Sequence, residues 1–146
     1  MTGSSLSDSF TRRGDVWTVT VTPTDGDLSG EPATASVDIT NTVPEVYLVT
    51  LTPNPATAGD VLSCDPFSVY DADGDDLSFD YEWAVNGVTV SVSSSTLEAP
   101  SFQRGDEVVC QVTPSDDEGS GEALESAGVM IVNLSLIHIS EPTRPY

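Results

Sequence analysis

The sequence predicts an all-β fold, a Greek-key β-sandwich. Three observations lead there. Clean apolar alternation runs through several short segments, a strong two-residue hairpin signal joins two of them, and turn residues punctuate the chain at close intervals. Val, Thr, Ser, Asp and Gly dominate the 146 residues, while helix formers are sparse. The length allows one domain of about 100 residues and a remainder.

The clearest strand is Leu77–Val85. Leu77, Phe79, Tyr81, Trp83 and Val85 face one way, and Ser78, Asp80, Glu82 and Ala84 the other. Asn86-Gly87 then forms the hairpin turn, and Val88–Val92 returns. Glu107–Thr113 alternates with Val108, Cys110 and Val112 inward. Val46–Thr52 and Asp60–Cys64 read as earlier strands, separated by Pro53-Asn54-Pro55, and the last strand spans about Ser126–Val132. Seven or so short strands at this spacing specify a sandwich.

An internal repeat organises the chain. Ser4–Glu31 matches Ser95–Glu122 without gaps at a constant offset of 91. Arg13-Gly14-Asp15 matches Arg104-Gly105-Asp106, Val21-Thr22-Pro23 matches Val112-Thr113-Pro114, and Ser29-Gly30-Glu31 matches Ser120-Gly121-Glu122. A period of this size is that of a small sandwich domain, not of a solenoid unit. Residues 1–42 are therefore expected to be the C-terminal half of a preceding repeat, with Met1 falling mid-domain. Residues 43–133 are expected to form one complete repeat. Residues 134–146 are expected to be a non-native tail, because L-S-L-I-H-I-S-E-P-T-R resembles a translated sequencing-library adapter. A strand over Leu134–Ile139 is the other reading. The sole histidine, His138, lies in that stretch.

Charge and composition narrow the functional classes. Lys+Arg number 4 and Asp+Glu 24, giving a net charge of −20. Such a chain repels phosphate backbones and anionic lipid surfaces, so nucleic-acid binding is not expected. No apolar run is long enough to span a membrane as a helix. Setting His138 aside, the chain has no histidine to serve a Ser or Cys nucleophile, and no catalytic residue is assigned.

Cys64 and Cys110 lie on separate strands with Trp83 between them, an immunoglobulin-like order. Either they form a disulfide, closing a loop of about 46 residues, or they are two separate buried thiols. Val19 stands where the first copy would have Cys110, so the fold does not require a bridge.

Asp71, Asp73, Asp75 and Asp76 crowd one bend, with Gly74 allowing the turn. Oxygen ligands in this density suit calcium. The EF-hand spacing is not met, because Gly74 falls at the fourth position and no helix flanks the loop. A solvated acidic turn is the alternative. The acidic turns at Asp25-Gly26-Asp27 and Asp116-Asp117-Glu118 are candidates for further ligands at a repeat junction. Arg13-Gly14-Asp15 and Arg104-Gly105-Asp106 spell an integrin-recognition tripeptide, but turn chemistry explains Gly-Asp at both positions.

Several motifs carry a family resemblance: T-P-N-P at Thr52–Pro55, G-D-V-L-S-C at Gly59–Cys64, and D-A-D-G-D-D-L at Asp71–Leu77. They continue as Y-E-W-A-V-N-G at Tyr81–Gly87 and G-D-E-V-V-C-Q-V-T-P at Gly105–Pro114. In this order they resemble the tandem Ig-like/PKD-like (cadherin-like) repeats of large bacterial secreted or cell-surface proteins. The resemblance implies an Ig-like sandwich in a tandem array, an extracellular or cell-surface location, and a spacer or adhesive role without catalysis. It implies neighbouring Ig-like repeats as partners, together with a surface protein or glycan. The alternative is a carbohydrate- or protein-binding accessory module attached to a secreted enzyme. That role calls for a platform of exposed aromatics, whereas Tyr81 and Trp83 are expected to point inward, and Phe67, Tyr47 and Tyr70 read as scattered.

Overall fold

The computed structural model describes residues 3–134. The expected tail beyond Leu134, with His138 and the strand reading there, lies outside the described residues. Described residues form eleven strands and one short 3-10 turn, and group into two compact units.

The first unit comprises, among the described residues, 3–42 and 72–74. Its core element is an antiparallel pair, β1 (Val16–Val21) and β2 (Ala33–Asp38), in register from Val16↔Asp38 to Val21↔Ala33. Gly14, at φ 83°, turns the chain into β1.

The second unit comprises, among the described residues, 43–71 and 75–134. It contains β3 (Glu45–Thr52), β4 (Ala56–Thr57), β5 (Leu62–Tyr70), β6 (Ser78–Val85) and β7 (Val88–Val90). It continues with β8 (Thr96–Leu97), β9 (Glu107–Ser115), β10 (Leu124–Glu125) and β11 (Val129–Val132). One sheet has the order β3-β5-β8. The other runs β4-β11-β9-β6-β7, with β10 also paired to β9. Val49, Leu51, Leu62 and Cys64 from the first sheet share one buried cluster with Trp83, Val108, Cys110, Val112 and Ile131 from the second. The result is an all-β sandwich.

The alternation in β6 and β9 decides which faces meet. Trp83, Val108, Cys110 and Val112 are wholly buried, while Phe79, Tyr81 and Val85 are half-buried against them. Ser78, Asp80 and Glu82 face solvent. Asn86 and Gly87, at φ 51° and 77°, make the tight turn between β6 and β7. The Asn86 side chain then ties the hairpin to the start of β9: its Nδ2 donates to Asp106 Oδ1 at 2.8 Å, and its Oδ1 accepts from Glu107 N–H at 3.0 Å.

The Cys64–Cys110 disulfide is formed, with Cα atoms 6.3 Å apart. It links β5 to β9 across the core, and both cysteines are fully buried. Cys110 lies directly opposite Trp83 in the β6–β9 ladder.

The return strand ends at Val90 instead of Val92, β4 and β8 are additional short strands, and two further strands differ from the sequence expectation more markedly. β5 extends to Tyr70 instead of ending at Cys64, although Pro66 lies inside it. Cys64 N–H points toward the β8 side, where it donates to Ser95 C=O at 2.8 Å. Pro66, two residues on, falls on that same side beyond the end of β8, so its missing N–H breaks no ladder bond. The expected last strand, Ser126–Val132, is shortened to β11, and a separate β10 lies ahead of it; one extra residue falls between the two, since Leu124↔Val112 and Val129↔Val108 are out of step by one. Ser126 bridges that bulge. Its N–H donates to Cys110 C=O at 2.8 Å, and its Oγ accepts from Cys110 N–H at 3.1 Å.

Candidate functional site

Three carboxylates converge at one end of the second unit. Asp71 follows β5, Asp75 precedes β6 and Asp116 follows β9. Ser78↔Ser115 pairing in the β6–β9 ladder brings the last two segments side by side. One ligand oxygen from each residue lies within 4.8 Å of the others, and all three residues are half-buried. Asp75 N–H donates to Asp71 Oδ1 at 3.1 Å, closing the bend across Gly74. Asp116 Oδ1 accepts from Glu118 N–H and Gly119 N–H, each at 2.7 Å. These bonds fix the Asp71 and Asp116 carboxylates by backbone turns, and with the Asp75 carboxylate beside them they leave hard oxygen acceptors close together in the chemistry that oxygen-seeking cations use.

Of the four aspartates expected as ligands, Asp71 and Asp75 belong to this group. Asp73 Oδ2 accepts from Thr42 N–H at 2.7 Å, and Asp76 is exposed. Asp116 joins from a turn 41 residues further along the chain. Both acidic turns were visible in the sequence, but their pairing was not, because only the β6–β9 register sets them together.

The corresponding turn in the first unit has the same local design. Asp25 Oδ1 accepts from Leu28 N–H at 2.9 Å and Asp27 N–H at 3.0 Å. The backbone donors of Leu28 and Asp27 hold the Asp25 carboxyl below its ordinary range.

The two Arg-Gly-Asp turns use their aspartates structurally. Asp106 Oδ2 accepts from Gln103 N–H at 2.8 Å while Oδ1 accepts from Asn86. Asp15 Oδ2 accepts from Arg12 N–H at 2.9 Å and from Trp17 Nε1 at 3.4 Å. Both side chains are half-buried acceptors that shape the entry to a strand.

The aromatic residues that read as scattered lie on neighbouring strands. Phe67 sits opposite Leu48, and Tyr70 opposite Glu45, in the β3–β5 ladder. Tyr47, Phe67 and Tyr70 are 61%, 64% and 59% exposed. The Tyr47 hydroxyl donates to Glu45, and that bond to a carboxylate raises its pKa.

No protein-family model matches the chain, and no curated protein matches it in sequence.

Proposed function

We propose that the chain is a structural repeat module, a spacer or adhesion unit of a secreted bacterial surface protein, without a catalytic role. The observation that carries this reading is repetition of one local design at an offset of 91 residues. Asp15 N–H donates to Arg12 C=O at 3.0 Å, and Asp106 N–H to Gln103 C=O at 3.1 Å. Gly30 N–H donates to Pro23 C=O at 2.9 Å, and Gly121 N–H to Pro114 C=O at 2.8 Å. The buried Cys64–Cys110 disulfide supports an oxidising, extracytoplasmic compartment. The net charge of −20 favours a soluble, self-repelling array.

Calcium is part of the proposal, with Asp71, Asp75 and Asp116 as protein ligands and a dissociation constant of about 0.1–1 mM, as in extracellular modules. Binding to the folded state alone at 10 mM calcium would then stabilise by roughly 1.4–2.7 kcal/mol. The test compares melting curves in 10 mM calcium, in 10 mM magnesium, and in sodium at matched ionic strength. A calcium-selective rise that disappears in Asp116→Asn supports the site. Equal rises in calcium and magnesium assign the effect to general screening of an acidic surface.

A second reading, a carbohydrate-binding accessory module, is favoured by the exposed Tyr47, Phe67 and Tyr70 on β3 and β5. A glycan array separates the two. A spacer gives no saturable signal. Saturable binding that is lost in both Phe67→Ala and Tyr70→Ala, with unchanged melting temperatures, overturns the spacer reading in favour of the accessory module.

A further inference from the structure

The β1–β2 sheet is two-faced. Thr18, Thr20, Thr34 and Ser36 lie on one side, where the Thr18 and Ser36 hydroxyls are hydrogen-bonded at 2.9 Å. Trp17, Val19 and Val21 of β1 share the other side with Ala33, Ala35 and Val37 of β2, their direct cross-strand partners. Sheets in water keep such an apolar side covered. Here Val19, Val21 and Val37 are 53%, 61% and 58% exposed.

The same chain contains the covered version of this face. At an offset of 91, Trp17, Val19 and Val21 correspond to Val108, Cys110 and Val112, all wholly buried. Val37 pairs with Trp17 as Val129 pairs with Val108, and Val129 is 1% exposed. The backbone geometry around the two faces agrees as well. Gly14 N–H donates to Ile39 C=O at 2.8 Å and Ile39 N–H to Asp15 C=O at 2.8 Å. Gly105 N–H and Ile131 C=O, and Ile131 N–H and Asp106 C=O, make the same two bonds at the same distances. In the second copy, β3 and β5 cover the face, and β6 pairs along the free edge of β9. Both parts of that cover come from residues 43–94, immediately ahead of Ser95.

We propose that the β1–β2 face is a docking surface for one occupant: a half-repeat with the chemistry of residues 43–94, joined in the same polypeptide ahead of Ser4. It would supply an alternating, Trp-bearing strand to the open edge of β1 and an apolar sheet over Val19, Val21 and Val37. Its residue equivalent to Cys64 is apolar, because Val19 offers no sulfur to bond. This inference rests on the repeat correspondence and is independent of calcium binding and of any surface role.

The experiment extends the full chain by placing a second copy of residues 43–94, carrying Cys64→Val, directly ahead of Ser4. Hydrogen exchange of amides 16–21 and 33–38 and the Trp17 emission are the readouts. The comparison is an extension of the same composition in scrambled order. The same pair is built in a Trp17→Val background, which restores the second copy's smaller residue at that point. The expected result is at least a 100-fold slowing of exchange in one or both backgrounds with the ordered extension, a blue-shifted Trp17 emission where Trp17 is retained, and loss of both effects in Val19→Asp. Unchanged exchange in both backgrounds overturns the proposal. So does a concentration-dependent dimer of the unextended chain that protects the same amides and is broken by Val19→Asp, because a second copy is then the occupant.

Discussion

Trp83 is the residue whose removal should cost most, and its surroundings let the cost be worked out. The side chain is wholly buried, faces Cys110 across the β6–β9 ladder, and donates from Nε1 to Ser94 C=O at 2.8 Å. A buried Trp removes roughly 200 Å² from water. Truncation to Ala returns most of that, about 150 Å², which at ~25 cal/mol per Å² is about 4 kcal/mol. The Ser94 carbonyl also loses its donor, adding about 1 kcal/mol. Trp83→Ala should therefore destabilise by roughly 4–5 kcal/mol, within the range for large-to-small core changes. Trp83→Phe keeps most of the ring and loses the hydrogen bond, so about 2 kcal/mol is expected. Urea denaturation of the disulfide-intact chain, followed by far-UV circular dichroism, reads both. A cost below about 1 kcal/mol for Trp83→Ala would refute the packing argument. Equal costs for Ala and Phe would refute the division between packing and hydrogen bond.

Reducing the Cys64–Cys110 bond, which spans 46 residues, should lower stability by about 4 kcal/mol in the chain-entropy model, measured as the urea midpoint with and without reductant. Gly121→Ala would place a Cβ 1.8 Å from the Pro44 carbonyl oxygen and should cost about 2–3 kcal/mol, read by thermal melting. Gly30→Ala meets only Pro23, with Cγ nearest at 3.0 Å, and should cost less. Burial, with a further contribution from Asp65, raises the Tyr81 pKa, so the folded state holds that proton more tightly than the unfolded chain does. The associated stability is intact below the unfolded phenol value of about 10 and is lost as pH rises through the folded value. Urea midpoints measured across pH 9–11.5 should fall less steeply in Tyr81→Phe than in the parent chain.

The strands that matter most were legible because their pattern is local. Alternation from Leu77 to Val85 and from Glu107 to Thr113 identifies the buried faces of β6 and β9, and Asn86-Gly87 identifies the turn between β6 and β7. The extent of β5 was not legible. Pro66 breaks a strand pattern when read alone, and only the short reach of β8 makes it harmless. The split between β10 and β11 was hidden for a similar reason, since a bulge is a mismatch between two strands and appears in neither one. Tyr47, Phe67 and Tyr70 looked unrelated because their placement on paired strands comes from the β3–β5 register, while sequence alternation tells only which way each residue points.

The acidic centre joins these two kinds of information. A crowded loop such as Asp71-Ala72-Asp73-Gly74-Asp75-Asp76 suggests that all its carboxylates act together. Backbone geometry divides them instead: Asp71 caps the bend through Asp75 N–H, Asp73 accepts from Thr42 N–H, and Asp76 lies at the surface. The third member of the cluster, Asp116, is held by Glu118 N–H and Gly119 N–H in a turn that recurs at Asp25. The turn is thus a feature of the repeat itself, whereas the loop carrying Asp71 and Asp75 comes from the segment ahead of Ser95. The cluster in the second unit therefore draws on two stretches of chain, one that matches residues 4–31 at an offset of 91 and one ahead of Ser95. If it binds calcium, the cation would neutralise charge where the two stretches meet and so favour their assembly. Calcium should then stabilise the second unit while leaving hydrogen exchange in β1 and β2 unchanged.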